Sequence, residues 1–445
     1  MGNIKIFCNF AGIIKRFFKV ENSVYTMAQA IAEAKRCLNC KVPQCKKGCP
    51  VGNDIPDWIH ELSMGNLGNA MSIINRKSNL PAVCGRVCAH ERQCEGHCVL
   101  GKTGAHVNIG KLERFVADFD TEMGMSRQPI VQKTKGKVAV IGSGPAGLTV
   151  AGELARGGYS VDIFEMEQHP GGVLTFGIPE YRLPKNIVES EIEKIKQLGV
   201  RIYVGVTIGP DITIDGLFDQ GYDAIFMGTG TGKPKKLQIE GLEQRKVRQA
   251  VYFLRRAGLY RAGMISREEV PIKEGDRIYI IGCGNTAIDA ARTAIRFGAS
   301  EVYIVYHRDI DHMSALRAEY DEAVSEGVRF LWNTSITRVY DDRRLTAVTD
   351  GEERQLPPGK LMMAVGSRPA SRIVSTTTGI DVDENGFVIT REVPFGMTTR
   401  KGVFAGGDVS GNQATVVHAM SNARAVAQGI AQYIDALTLL RIINE

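Results

Sequence analysis

Eight of the ten cysteines in this 445-residue chain fall between Cys37 and Cys98, in two tracts. The first reads Cys37-x2-Cys40-x4-Cys45-x3-Cys49-Pro50 and the second Cys84-x3-Cys88-x5-Cys94-x3-Cys98. Thiols at this density pair as disulfides, hold zinc or hold iron–sulfur clusters. No secretory signal precedes them, so a reducing cytoplasm is the expected compartment and disulfides are disfavoured. Zinc sites pair one short knuckle with another, whereas the second tract has no x2 pair.

The first tract instead follows the Cys-x2-Cys…Cys-x3-Cys-Pro rhythm of bacterial ferredoxins, in which the last cysteine of the run ligates the other of two clusters. Two iron–sulfur clusters are therefore expected. On spacing alone all eight cysteines qualify as ligands.

Two glycine loops follow. Residues 137–141 read as a buried strand that runs into Gly142-Ser143-Gly144-Pro145-Ala146-Gly147, then a small-residue helix, then a strand ending at Glu165. In this βαβ context Gly142 makes the turn, Gly144 admits a pyrophosphate to the backbone, Gly147 lets helix and strand pack closely, and Glu165 reaches the ribose hydroxyls. The second loop, Gly282-Cys283-Gly284-Asn285-Thr286-Ala287, follows a strand at 277–281 and precedes a helix through Arg296. Cys283 reads there as a small residue rather than a redox group. The next strand ends in Tyr306-His307-Arg308, with no carboxylate at the ribose position itself. A cation there favours the 2′-phosphate of NADP(H), while the following Asp309 leaves NAD(H) open.

The elements that must hold these groups are ordinary. The chain is 44% apolar and 23% charged, enough for two to four cored domains. Helices are expected over 27–36, 57–63, 69–76 and 111–122, giving a small helical domain that draws ligands from both tracts. The net charge of +6 comes from basic residues interspersed with acids, so nothing supports a nucleic-acid role. No apolar run of 18 residues is evident, so no transmembrane segment is expected. Residues 1–26 are basic and aromatic and read as partner docking or packing, ahead of a frayed tail or contact with a membrane surface.

The pattern Cys37-Leu-x-Cys40…Cys49-Pro-Val…Asn79-x4-Cys84-Gly-Arg-Val-Cys88…Cys94-Glu-x2-Cys98…Asn108-Ile resembles the small subunit of bacterial glutamate synthase. The N-terminal half of dihydropyrimidine dehydrogenase and the larger subunit of the NADH-dependent ferredoxin:NADP oxidoreductase share it. The likeness runs from about residue 28 to the C-terminus and leaves residues 1–26 outside. It implies crossed ligation of two [4Fe–4S] clusters: Cys37, Cys40, Cys45 and Cys98 for one, and Cys49, Cys88, Cys94 and Glu113 for the other. Cys84 then drops out.

The same resemblance places FAD at the first loop, with Gly172, Leu174 and Arg182 from the segment 171–184 and Gly230 from Met227-Gly-Thr-Gly230. Near the C-terminus, a strand ending in Gly407-Asp408 and a helix from about Thr415 and Val416 would face the flavin, with Asp408 on its ribityl chain. This sequence has Asn422-Ala-Arg424 where many relatives carry Gly-Arg, so a slightly different packing of that helix is expected.

The expected fold is α/β: a helical iron–sulfur domain (27–133), an FAD domain (134–243 and 358–445) and an inserted NAD(P)H domain (244–357), both nucleotide domains Rossmann-like. The resemblance implies an electron-input subunit. Hydride passes from NAD(P)H to FAD, then single electrons pass through two clusters to a separate catalytic or electron-accepting subunit, and no acid–base catalytic group is expected. The chain leaves no room after the flavin fold for a substrate barrel. Rival readings are a subunit of an NAD-dependent dihydropyrimidine dehydrogenase, a bifurcating NADH/ferredoxin:NADP oxidoreductase subunit, and a zinc-stabilised redox sensor without catalysis.

Overall fold

The computed structural model describes residues 25–125, 130–235, 237–242, 247–370, 372–411 and 413–444. The expectation for residues 1–26 therefore lies almost wholly outside the described residues.

The cysteine-rich region is helical. Met27–Ala34 opens on a reciprocal cap: the Thr26 hydroxyl accepts from the Gln29 N–H, and the Gln29 side chain accepts from the Thr26 N–H. Ile55–Ser63, Leu67–Asn75 and Pro81–Val87 follow, two of them with proline in the first turn, where its missing N–H costs nothing. Ile109–Met123 buries Ile109, Leu112, Glu113, Val116 and Asp120 at helical spacing and stops at Gly124, whose φ of 61° is left-handed. Trp58, Leu62, Met71, Ile74 and Leu112 form the apolar centre, with Cys37, Cys45, Cys49 and Cys98 packed at its edge.

The first nucleotide fold is a five-stranded parallel sheet ordered Val403–Ala405, Ala224–Met227, Lys137–Ile141, Ser160–Glu165, Arg201–Val204. Its strand Val403–Ala405 returns from far along the chain, as the inserted order requires. The second sheet is again parallel: Val247–Gln249, Lys360–Met363, Arg277–Ile281, Glu301–Val305, Arg329–Leu331. A three-stranded antiparallel sheet, Thr334–Val339, Leu345–Thr349 and Glu352–Leu356, accompanies it.

Two compact units result. The larger joins the cysteine region to the first nucleotide fold, taking in Lys185–Lys233 and the chain from Arg368 onward. The other consists of Phe176–Pro184 and Pro234–Ser367. Two boundaries differ from the sequence reading. Lys360–Met363 belongs to the second fold, because it pairs with Arg277–Ile281, so that fold extends past 357. The segment 176–184, read as part of the FAD side, packs with the second fold: Arg182 pairs with Asp289 at 2.7 Å and Glu319 at 2.6 Å, while the Tyr181 ring lies under Arg292 and Arg296.

The C-terminal helix Val416–Asn444 packs along Pro145–Arg156 and buries Val417, Met420, Ala423, Val426, Ile430 and Ile434. Its last turns expose Leu439, Leu440, Ile442 and Ile443. Over Val416–Ile443 the helix is long and apolar enough to cross a membrane, with mean hydropathy 1.2 in its most apolar window, and 28% of that window is buried in the protein. The stretch is not an unbroken apolar run, since Asp435 and Arg441 interrupt it.

Candidate functional site

The thiols fall into two groups. Cys37, Cys40, Cys45 and Cys98 line one cavity, closed by Leu38, Gln44, Pro56, Val99, Leu100 and Val107. Burial, together with the fields of Cys37, Cys98 and Cys40, pushes the Cys45 thiol up to about 11. Cys37 is likewise raised, first by burial and then by Cys40 and Cys98. Among the described residues no three Cys, His, Asp or Glu side chains stand close enough to share one metal ion.

The second group gathers around Glu113. Its carboxyl is buried and raised to about 8 by that burial and by Glu191. The Glu113 charge in turn raises Cys49, Cys88 and Cys94, which burial also pushes up; for Cys88 the largest cause is a hydrogen bond to Cys84 that holds the proton on Cys88. The backbone N–H groups of Val51 and Asn53 donate to Cys49 and oppose its rise. Cys84 is buried beside this group, not the first. A buried carboxyl beside one buried and two half-buried thiols is a donor set suited to a cationic iron core.

At the first glycine loop, a Cβ on Gly147 would stand 1.9 Å from the Gly142 carbonyl oxygen, so only glycine permits this approach of helix and strand. Glu165 is buried and accepts from the Ser143 N–H at 2.9 Å, the Ser143 hydroxyl at 2.5 Å and the Glu167 N–H at 2.9 Å. The Ser143 hydroxyl accepts in turn from the Gly171 N–H at 2.9 Å, which brings Gly172 against Gly144. Leu174 is buried beneath. Pro145 and Ala146 open the helix, and Gly230 turns the chain after Ala224–Met227 with φ of 63°.

Asp408 supplies the clearest sign of an absent group. Its Oδ1 is buried with no hydrogen-bond partner, and burial raises the carboxyl to about 6. The Asn422 amide oxygen accepts from the Gly407 N–H at 2.8 Å and pins the turn that presents Asp408. Helix Val416–Asn444 begins just beyond, with the Thr415 hydroxyl accepting from the His418 N–H. A buried acceptor beside a glycine cradle and a helix N-terminus fits a dinucleotide that carries hydroxyls. Arg182 does not join this set: both arms of its guanidinium are held by Asp289 and Glu319.

At the second loop a Cβ on Gly282 would stand 2.5 Å from the Ala364 carbonyl oxygen. Gly284 caps Asn285–Arg296, and the Asn285 amide oxygen accepts from the Leu316 N–H. Thr286 and Ala287 continue that first turn. Cys283 is buried, its thiol pushed up to about 12, as suits an inert small residue. His307 and Arg308 are exposed at the strand end. Asp309 turns away from a ligand role: its Oδ1 caps the turn Ile310–His312, accepting from the N–H groups of Asp311 and His312 and bonding the His312 ring at 2.6 Å.

Three contacts had no sequence signal. The Cys84 Sγ lies 3.7 Å from the Met420 Sδ, the Ser421 hydroxyl donates to the Pro50 carbonyl at 2.7 Å, and Asn422 holds Gly407. Three successive residues of one helix thus reach the Glu113 thiol group and the Asp408 turn.

Comparison with known proteins agrees with this assembly. A family described as dihydropyrimidine dehydrogenase domain II, 4Fe-4S cluster, matches residues 14–125, and the pyridine nucleotide-disulphide oxidoreductase family matches residues 136–427. The first match begins inside segment 1–26, so the likeness does not start at about residue 28 as the sequence pattern suggested.

Fold and site together define an NAD(P)H-dependent oxidoreductase of the pyridine nucleotide-disulphide class, working with FAD and 4Fe-4S clusters. The chain is 36% identical over 438 residues to the glutamate synthase [NADPH] small chain of Halomonas elongata, covering 92% of each. It is 33% identical over 452 residues to the NADPH-Fe(3+) oxidoreductase subunit beta of Geobacter sulfurreducens, covering 91% of this chain and 65% of that one. The thioredoxin reductase structure of Lactococcus lactis superposes with a TM-score of 0.52 at 25% identity, over 68% of this chain and all of that one. This chain belongs to the glutamate synthase small-chain family, whose members feed electrons from a reduced nicotinamide toward a partner.

Proposed function

We propose that this chain is the NADPH-oxidising subunit of a two-component, glutamate synthase-type enzyme, acting in the cytoplasm. The observation that carries the reading is the path within the larger unit: the helix that starts behind Asp408 touches Cys84 through Met420 and Pro50 through Ser421. When bound, the reduced nicotinamide would supply the hydride, the flavin would accept it, and the clusters would carry single electrons.

Everything else falls to the chain. Gly142, Ser143, Gly144, Pro145, Ala146, Gly147, Glu165, Gly172, Leu174 and Gly230 shape the FAD cradle, and Asp408 accepts from its sugar-alcohol chain. The helix beginning at Thr415 and Val416 presents the positive end of its dipole to the flavin edge. Gly284, Asn285, Thr286 and Ala287 hold the second pyrophosphate. Arg308, with His307 beside it, meets a 2′-phosphate; Asp309, engaged as a cap, is not free to favour NADH. Cys37, Cys40, Cys45 and Cys98 hold one cluster, and Cys49, Cys88, Cys94 and Glu113 the other.

The relatives' names as small and beta chains support a separate partner, and the small-chain match makes a glutamate synthase large chain the partner proposed. Co-purification from the native host tests this. Recovery with a glutamine-handling large chain supports it, and recovery with a pyrimidine-reducing barrel overturns it.

A further inference from the structure

The loop over the Cys37 group carries apolar side chains in the open. Leu38 lines the cavity of the four thiols and is nonetheless 62% exposed, and Val42 on the same loop is 61% exposed. Asn39 takes a left-handed φ of 46°, a backbone conformation that asparagine tolerates better than most residues, so Leu38 and Cys40 are presented on a defined turn. Cys37, Cys40, Cys45 and Cys98 are themselves half-buried.

The charge around this loop is of one sign. From Lys35 to Asn53 the chain carries Lys35, Arg36, Lys41, Lys46 and Lys47 and no acid. Glu33 pairs with Arg36 at 2.6 Å, and Asp54 pairs with Lys46. Lys35, Lys41 and Lys47 are exposed and enter no ion pair among the described residues. The second tract adds to the same side. Arg36 donates to the His106 carbonyl at 3.1 Å, and the exposed Lys102 follows Val99 and Leu100, which line the cavity with Leu38.

An exposed apolar centre inside a polar rim is the anatomy of a protein–protein interface. Lysines that served solvation alone would need no apolar side chains between them over a thiol cavity. A lipid headgroup layer could meet the same lysines, but it accepts no electron. A cluster held by the Cys37 group would have Leu38 as its cover toward solvent.

We propose that the face formed by Leu38, Val42, Lys35, Lys41, Lys47 and Lys102 is the electron-exit surface, which docks an acidic, apolar-centred face of the large chain against the Cys37 group. The proposal rests on the reading of this chain as the electron-input subunit of a two-component enzyme, and it adds the contact chemistry of the partner. Opposite charge speeds the encounter and sets its register, while the apolar centre excludes water.

The test is the association rate of the purified holoprotein with the large chain from the native host, followed at two salt concentrations. Wild-type association should slow between about 0.1 M and about 1 M salt, as the screening length falls from about 10 Å to about 3 Å. Combined Lys35→Glu, Lys41→Glu and Lys47→Glu should slow association at least about tenfold at the lower salt and lose that difference at the higher. Iron content and flavin bleaching by NADPH should match wild type. Lys102→Glu should act in the same direction but less, and it carries the test if the triple variant loses iron. Equal rates and equal salt dependence in all variants overturn the proposal and leave the electron-input reading standing. A shifted midpoint of the Cys37-group cluster with unchanged association overturns it too, since the lysines then only offset the charge of the cluster. So does binding to phosphatidylserine vesicles that the triple variant abolishes while association with the large chain is unchanged. Failure of the wild-type chain to bind the large chain at either salt overturns the two-component reading and the proposal together.

Discussion

The Ser421 hydroxyl donates to the Pro50 carbonyl at 2.7 Å, joining residues 371 positions apart. Pro50 directly follows Cys49, and Ser421 lies in the second turn of the helix behind Asp408. The flavin cradle and one thiol group are therefore built as a single packed unit. Each prediction below probes one part of that arrangement.

The two thiol groups should fail independently. Cys98→Ser should lose about four irons from the Cys37 group, and Cys94→Ser about four from the Glu113 group, each leaving the other cluster's EPR signal in place. Glu113→Ala should match Cys94→Ser in iron count. Full iron in Glu113→Ala would show that Glu113 is not a ligand.

Arg308→Ala should raise the KM for NADPH about ten- to a hundredfold, the loss of roughly 1.5–3 kcal/mol from a charge-assisted phosphate contact, with NADH little changed. Steady-state dye reduction with both coenzymes measures this. Equal effects on the two would place Arg308 away from the 2′-phosphate.

Arg182 is held between Asp289 and Glu319 with its side chain 8% exposed, and its replacement removes the cation that both carboxylates face. Burial already raises Glu319 to about 7 in the presence of the guanidinium. Arg182→Ala should cost about 3–5 kcal/mol in a urea melt, the usual penalty for breaking a buried pair. A loss within 1 kcal/mol would mean that the segment Phe176–Pro184 is not anchored through this residue.

Glu191 is buried and raised by that burial to about 7, well above its ordinary 4.5, with Lys194 only partly offsetting the rise. A raised acid favours the folded state at low pH and loses that contribution as pH climbs through the folded value. Glu191→Gln should therefore gain Tm relative to wild type at pH 8 and lose that gain at pH 4. Equal differences at both pH values would mean that Glu191 does not titrate in the folded protein.

The dinucleotide loops were legible because local chemistry dictates them. Gly147 and Gly282 sit where a side chain would strike backbone, and strand, loop and helix are contiguous in sequence. The helices of the cysteine region were legible from their apolar spacing, apart from the short Gln44–Gly48 and Pro81–Val87. The setting of Arg182 was not, since its partners lie 107 and 137 positions away and the segment 171–184 reads as one piece. Cys84 has ligand spacing as good as that of Cys88, and only the fold brings it to Met420. The role of Asn422 was likewise hidden: its departure from the family pattern was visible, but its bond to Gly407 was not.

The central claim is that this chain takes electrons from a nicotinamide and delivers them only through a partner. Anaerobic addition of NADPH to the purified single chain, followed by flavin absorbance, ferricyanide reduction and turnover of glutamine with 2-oxoglutarate, tests it directly. The flavin should bleach and ferricyanide should be reduced, while glutamate formation stays at background until the large chain is added. Sustained glutamate formation, or reduction of a pyrimidine, by the single chain alone would contradict the account.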